Sequence, residues 1–289
     1  MPELLSPKKN SNRKPIRHKL LKTLGLSDAL EWSKLPSSFI EVPKITVMGL
    51  PLARVSQSET LDLIDSFIME RTPRLVITAN LHFAMLCQVQ PMLRWLNRKA
   101  DLVLADGMPL VWASRLKGRA LALPERVTGA DLVPALCGRA AELGHRVYFL
   151  GGAEGVAVEA VARIKILHPD LNVVGIDAPN FARLTPEERK SIVSRVRQAH
   201  ADLLFVALGQ PKGELWLAEN LEELGVPVSI QIGASLDFLA GRVKRAPIWI
   251  QRIGMEWSWR LACEPGRLFT RYLKNARFLA GQIKGPGKD

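Results

Sequence analysis

Cysteine is scarce in this sequence. Cys87, Cys137 and Cys263 lie far apart in a chain of 289 residues, with no CxxC spacing between any two of them. That excludes a zinc ribbon or a redox pair and leaves ordinary buried thiols. Long apolar runs are also missing: no stretch of about 18 uncharged apolar residues is present to span a bilayer. Lys8, Lys9, Arg13, Lys14 and Arg17 precede an apolar stretch that is short and broken by Lys22, unlike a secretory leader, so the chain is expected in the cytoplasm. Aromatic residues make up only 6% and no RNA-binding motif occurs, which argues against a nucleic-acid partner despite an isoelectric point near 9.9. No His, Cys or carboxylate cluster has metal-ligand spacing, and neither a metal nor another cofactor is expected.

What remains is a globular composition, 47% hydrophobic and 24% charged, long enough to bury a substantial core. The net charge of +12 is unevenly placed: residues 1–44 carry +5 and residues 241–289 carry +8, which leaves −1 for 45–240. Such a division describes a neutral catalytic body with basic attachments rather than a basic cleft through the core.

The middle of the chain alternates short β-rich apolar runs with helical patterns, the pattern of a parallel sheet covered by helices. Strands are predicted at 45–48, 75–79, 102–105, 147–150, 172–176, 203–208 and 228–232, and helices at 58–71, 131–143, 154–167, 185–199 and 214–224. Thr185, Pro186 and Glu188 form a capping-box start. The expected fold is α/β, a largely parallel Rossmann-like sheet with helices on both faces and a basic helical C-terminal appendage. Its parts are a flexible basic arm over 1–43, a catalytic domain over 44–241 and a Trp-rich membrane-docking appendage over 242–289.

Ligands of open α/β sheets gather beyond the carboxyl ends of the strands. Five such ends carry polar or glycine signals: Thr78 to Asn80, Asp106 with Gly107, Gly151 with Gly152, Gly209 to Lys212, and Gly233 to Asp237. Any one of them can be a plain turn, whereas their clustering at one sheet edge points to a site. Gly151 and Gly152 precede a helix whose free N–H groups suit a diphosphate. Asp177 stands about where a Rossmann acid meets a ribose, which keeps an NAD-dependent oxidoreductase as the alternative. Against it stand the absence of a GxGxxG fingerprint and of a His or Tyr placed for hydride chemistry; His82 reads as a packed surface histidine.

A more specific resemblance covers residues 44–280. It is carried by Thr78 to Asn80, Ala105 to Gly107, Glu125 to Leu132, Phe149 to Gly152, Gly209 to Lys212, Asp237 to Gly241, Lys244 to Pro247, and Glu256 with Trp257 through Arg260, Leu261, Glu264 and Pro265. In these motifs the sequence resembles the WecG/TagA/CpsF family, glycosyltransferase family 26. The resemblance implies inverting, metal-free transfer of a hexose or N-acetylhexosamine-type sugar from a UDP-sugar to a polyprenyl-diphosphate-linked sugar. Glucose, N-acetylmannosamine and its uronic acid are the sugars moved within the family. It also implies surface or exopolysaccharide assembly at the inner face of the membrane, and it leaves room for a homo-oligomer. One departure stands out: the family often has Gly-x-Pro-Lys-Gln-Glu, where this chain has Gly209-Gln210-Pro211-Lys212-Gly213-Glu214.

Glycosyl transfer needs a base for the acceptor hydroxyl and charge stabilisation for the departing diphosphate. Asp106 is the candidate base. Thr78 and Asn80 are candidates to orient hydroxyls, and Arg126 is the first candidate for the diphosphate. Gly151, Gly152, Gln210, Lys212, Asp237, Arg245 and Arg260 complete the expected substrate site. At ~100° per residue, Leu268, Phe269, Tyr272, Leu273, Ala276, Leu279, Ala280 and Ile283 fall in one ~140° arc, with Arg267, Arg271, Lys274, Arg277 and Lys284 opposite. With Trp249, Trp257 and Trp259 upstream and Arg242, Lys244, Arg245, Arg252 and Arg260 nearby, this is the pattern of an interfacial helix on an anionic membrane. Some of these arginines are also expected to reach the diphosphate.

Overall fold

The structure, a computed structural model, describes residues 42–181 and 183–283; almost all of the expected arm over 1–43 lies outside them. The first described elements form an antiparallel hairpin, β1 (Lys44–Val47) and β2 (Leu50–Ala53). Six further strands form a parallel sheet: β3 (Arg74–Ala79), β4 (Leu102–Ala105), β5 (Arg146–Gly151), β6 (Asn172–Asp177), β7 (Leu203–Ala207) and β8 (Val228–Gln231), in the order β4-β3-β8-β7-β5-β6. The run at 45–48 was expected in that sheet but pairs in the separate hairpin, because Leu50 to Ala53 supplies an antiparallel neighbour only two residues away.

Apart from the edge strand β6, whose residues are exposed or half-buried, the strands are largely buried on both faces, so side chains alternate between two cores. Leu203 and Phe205 of β7 join one core, Leu204 and Val206 the other. The first core is covered by α1 (Gln57–Glu70), α5 (Gly129–Leu143), α6 (Val156–Leu167) and the short α9 (Ser235–Leu239). The second is covered by α2 (Leu81–Val89), α3 (Pro91–Lys99), α4 (Met108–Arg115), α7 (Pro186–Gln198) and α8 (Lys212–Leu224). Local chemistry fixes the starts. Ser56 with Glu59 and Thr185 with Glu188 form full capping boxes on α1 and α7, and Thr128 caps α5 through the Asp131 N–H.

Connectivity places the site. After β3 and β7 the chain leaves onto the second core, whereas after β8, which lies between them, it leaves onto the first. The divergence opens a crevice at the carboxyl edge of these strands. Beyond it, α10 (Ile248–Arg252), α11 (Glu256–Cys263) and α12 (Pro265–Ile283) fold back over this edge.

Candidate active site

Asp106 follows β4, and its backbone N–H donates to the Ala79 carbonyl at 2.7 Å. The main chain therefore sets where its side chain starts. The half-buried carboxyl takes part in no hydrogen bond or ion pair among the described residues. Burial pushes its pKa up to about 6; the Glu256 carboxylate adds to the rise, and Arg126 and Arg260 oppose it.

Beside Asp106, two carboxylates and two guanidiniums alternate. Arg126 donates to Glu256 at 2.7 Å and to Gln251 at 3.3 Å. Arg245 lies 2.6 Å from Asp131 and 3.3 Å from Glu256. Asp131 belongs to the first turn of α5, and Glu256 opens α11, so this lattice ties the C-terminal segment to the sheet edge. Arg126 and Arg245, both expected at the substrate, are here matched by carboxylates. A diphosphate reaching them competes with Glu256 and Asp131.

The third component comes from α12. Its Asn275 meets His82 of α2 at 3.2 Å, and the neutral form of His82 is favoured, with a pKa pushed down to about 4 by burial and by Arg271. One turn earlier, Arg271 donates to Gln210 Oε1 at 3.4 Å, and Gln210 Nε2 donates to the Thr78 carbonyl at 3.2 Å. The Arg271 pKa is lowered by burial and by the neighbouring Arg260 and Arg267. It has no carboxylate partner among the described residues, whereas Arg260 and Arg267 both pair with Glu264. Arg260 also stacks over Phe238, 5.1 Å from the ring centre. Next to it, the Asp237 pKa is raised by burial against the pull of Arg267 and Arg260.

Other expected residues have more structural duties. The Thr78 hydroxyl donates to the Gln231 carbonyl at 2.8 Å, and the Asn80 side-chain oxygen caps α2 through the Phe83 N–H at 3.1 Å. Gly151 must be glycine: its φ is +98° and a Cβ would meet the Ala207 carbonyl oxygen at 2.7 Å. The Gly152 N–H already donates to that oxygen at 3.0 Å. Lys212 is exposed at the start of α8. Asp177 is held by the Tyr148 hydroxyl at 2.6 Å and by two Arg195 contacts at 3.0 and 3.1 Å. An aspartate so engaged is a poor ribose acceptor, which removes the residue that kept the oxidoreductase alternative open. Among the described residues, no three His, Cys, Asp or Glu side chains gather as a metal site requires.

The angular count sets Arg271 on the basic side of the last helix, opposite the apolar arc, whereas the structure packs it. The packed seam runs through Leu268, Arg271, Tyr272, Asn275 and Phe278, while Phe269 stays 60% exposed. Asn275, four residues beyond Arg271 and just outside the edge of the apolar arc, is the signal that could have shown a polar contact there. Glu256 was legible only as a motif residue. Glu214 is fully buried, and burial pushes its pKa up to about 7.

At the carboxyl edge of this parallel α/β sheet, Asp106 and Asp237, whose pKa values burial raises, lie beside several arginines, the setting in which α/β enzymes bind anionic ligands. Residues 45–285 match the model of the glycosyl transferase WecG/TagA/CpsF family, and the chain belongs to that family. Among its relatives is the N-acetylglucosaminyldiphosphoundecaprenol N-acetyl-beta-D-mannosaminyltransferase of Bacillus spizizenii, 28% identical over 209 residues that cover 72% of this chain and 78% of the relative. Its reaction class is thus glycosyl transfer rather than oxidoreduction.

Proposed function

We propose that this enzyme transfers a hexose or N-acetylhexosamine-type sugar from a UDP-sugar to a polyprenyl-diphosphate-linked sugar, with inversion and without a metal. The observation that carries the reading is Asp106, whose carboxyl has no partner among the described residues and whose pKa burial raises, on the same edge as Arg126, Arg245, Arg260 and Arg271. The name of the Bacillus relative, with an acceptor of N-acetylglucosaminyl diphosphoundecaprenol and N-acetylmannosamine as the sugar moved, supports this acceptor class. In the proposed step the Asp106 carboxylate takes the proton of the acceptor hydroxyl. The hydroxyl oxygen bonds to the anomeric carbon, and the bond to UDP breaks on the opposite face, UDP keeping the electron pair. Arginines neutralise the diphosphate as it leaves. Turnover of a panel of UDP-sugars with a lipid-diphosphate-sugar acceptor tests this directly. Turnover should persist in excess EDTA within about 2-fold, because arginines replace the metal's role; a loss restored by magnesium or manganese would remove the mechanism.

The same reading puts the enzyme on the cytoplasmic face of the membrane, as a peripheral protein docked by residues 242–289. Among the described residues no helix is long and apolar enough to cross a bilayer. Trp249, 64% exposed, Ile248, Ile253, Trp257, Phe269 and Leu273 instead present apolar surface, near the exposed Arg252, Arg267 and Lys274. Indoles favour the headgroup level, and each basic residue near an anionic surface contributes about 1 kcal/mol. The protein should sediment with anionic vesicles at low salt and be released at high salt. Trp249→Ser with Phe269→Ser should reduce the bound fraction; equal sedimentation of variant and wild type would leave these residues without a docking role.

A further inference from the structure

Outside the C-terminal segment, the catalytic domain also leaves apolar side chains in water. Trp112 on α4 is 40% exposed, Leu116 one turn later is 86% exposed, and Leu121 in the following loop is 54% exposed. The backbone that carries them is pinned at several points. The Leu123 N–H donates to the Ser114 hydroxyl oxygen at 3.0 Å, that hydroxyl donates to the Val111 carbonyl at 2.7 Å, and Arg54 donates to the Ala120 carbonyl at 2.6 Å. A loop held this firmly presents its leucines as a fixed surface, and an apolar patch with a polar rim marks a place where something binds.

The rim has one sign of charge. From Gly107 to Pro124 the chain carries Arg115, Lys117 and Arg119 and no Asp or Glu. All three are exposed, and none pairs with a carboxylate among the described residues. The patch also continues onto the C-terminal segment: a Cβ on Gly254 would lie 2.6 Å from Cζ2 of Trp112, so the indole abuts the turn after α10, where Arg252 and Ile253 are exposed. Glu256, the first carboxylate beyond that turn, is engaged by Arg126 and Arg245.

We propose that the end of α4 and the loop after it form a second membrane contact, made by the catalytic domain itself, whose partner is an anionic bilayer surface. It extends the docking reading given for residues 242–289 and rests on it. Charge complementarity selects this partner. A protein would have to place carboxylates opposite three mobile cations, whereas anionic headgroups offer negative charge wherever a cation lies, and indole and leucine side chains enter the acyl boundary between them. The contact bears on the reaction because α4 starts at Met108, two residues beyond Asp106, and is only about 12 Å long at 1.5 Å per residue. It holds the candidate base near the headgroup level, where the diphosphate of a lipid-linked acceptor lies.

The test uses the full chain with vesicles of equal parts phosphatidylglycerol and phosphatidylcholine, and with vesicles of phosphatidylcholine alone. Leu116→Ser with Leu121→Ser should weaken binding to the mixed vesicles about 10-fold. Arg115→Gln with Lys117→Gln and Arg119→Gln should weaken it at least about 10-fold at low salt, flatten its salt dependence and leave the weak binding to phosphatidylcholine unchanged. The substituted side chains are exposed, so Tm should stay within a few degrees. Transfer to an acceptor embedded in the mixed vesicles should fall in both variants, with transfer to a short-chain acceptor in solution within about 2-fold of wild type. Wild-type affinity for the mixed vesicles in both variants would overturn the proposal, as would an equal loss of transfer in the two assays. A wild-type dimer that either variant dissociates would also overturn it, by giving the patch to a second copy of the chain. The two membrane readings fail separately: if Trp249→Ser with Phe269→Ser loses binding and these variants do not, only this contact falls, whereas a wild type that ignores anionic vesicles removes both.

Discussion

Asp106→Asn is expected to lower glycosyl transfer about 10²-fold or more, the scale of a lost general base, while the fold persists. The backbone bond from Asp106 to Ala79 survives the change, and asparagine has nearly the same shape. Stability should shift in a direction opposite to activity. Burial and Glu256 raise the pKa of Asp106 from the ordinary carboxylate range to about 6, so the folded protein holds this proton more tightly than the unfolded chain. That contribution to stability is fully present below the unfolded pKa and is lost as pH rises through about 6. Asp106→Asn should therefore raise Tm at pH 8 and give little gain at pH 4. Activity has the opposite sign, because the base must be ionised: kcat/KM should fall as pH drops through about 6. Glu256→Gln removes one source of the upward shift and should move this acid limb to lower pH. An Asp106→Asn protein with near wild-type turnover would leave Asp106 as a turn residue.

The sheet was legible because each of its strands is a short apolar run ended by a turn signal, and all but the edge strand β6 are largely buried on both faces. Six of the seven predicted runs fall in it with ends within a residue or so, for instance 172–176 against the observed Asn172–Asp177. The hairpin partner Leu50–Ala53 was not read, since proline at its second position and a length of four residues give it little period of its own. Helices α2, α3 and α4 were missed for a related reason. Leu81–Val89 is apolar nearly all round, with no stripe to detect, and α3 begins right after it at Pro91. The strand-end residues of the site came directly from connectivity. The lattice of Arg126, Asp131, Arg245 and Glu256 did not, because it joins residues as far as 130 apart in the chain, and only the folding back of the C-terminal segment brings them together. The angular count set Arg271 with the other basic residues opposite the apolar arc, and could not tell which of these arginines packs inward. A half-buried guanidinium does so by extending its apolar stem along the helix seam.

Arg271→Ala should reduce kcat by about 10²–10³-fold, which would make it the most sensitive position on the last helix. Arg260 and Arg267 share Glu264, and Arg126 and Arg245 share Glu256 and Asp131. Among the described residues, Arg271 alone of these five has no carboxylate partner and meets only an amide oxygen, at 3.4 Å. Its charge is thus available to an incoming diphosphate without breaking an ion pair. Burial beside Arg260 and Arg267 lowers its pKa, so an arriving anion relieves repulsion as well as forming new bonds. Arg271→Lys should recover only part of the activity, because an ammonium keeps the charge but loses the planar fork that grips two phosphate oxygens. Neither variant should lower Tm by more than a few degrees, since the guanidinium Nε is buried without a partner among the described residues. The deciding measurement is inhibition by free UDP, which bears the diphosphate but no sugar. Its inhibition constant should rise in Arg271→Ala roughly in step with the loss of kcat/KM for the donor. Unchanged UDP inhibition alongside reduced turnover would assign Arg271 to holding α12 in place, and the diphosphate contact would then fall to Arg126 and Arg245 after release from their carboxylates.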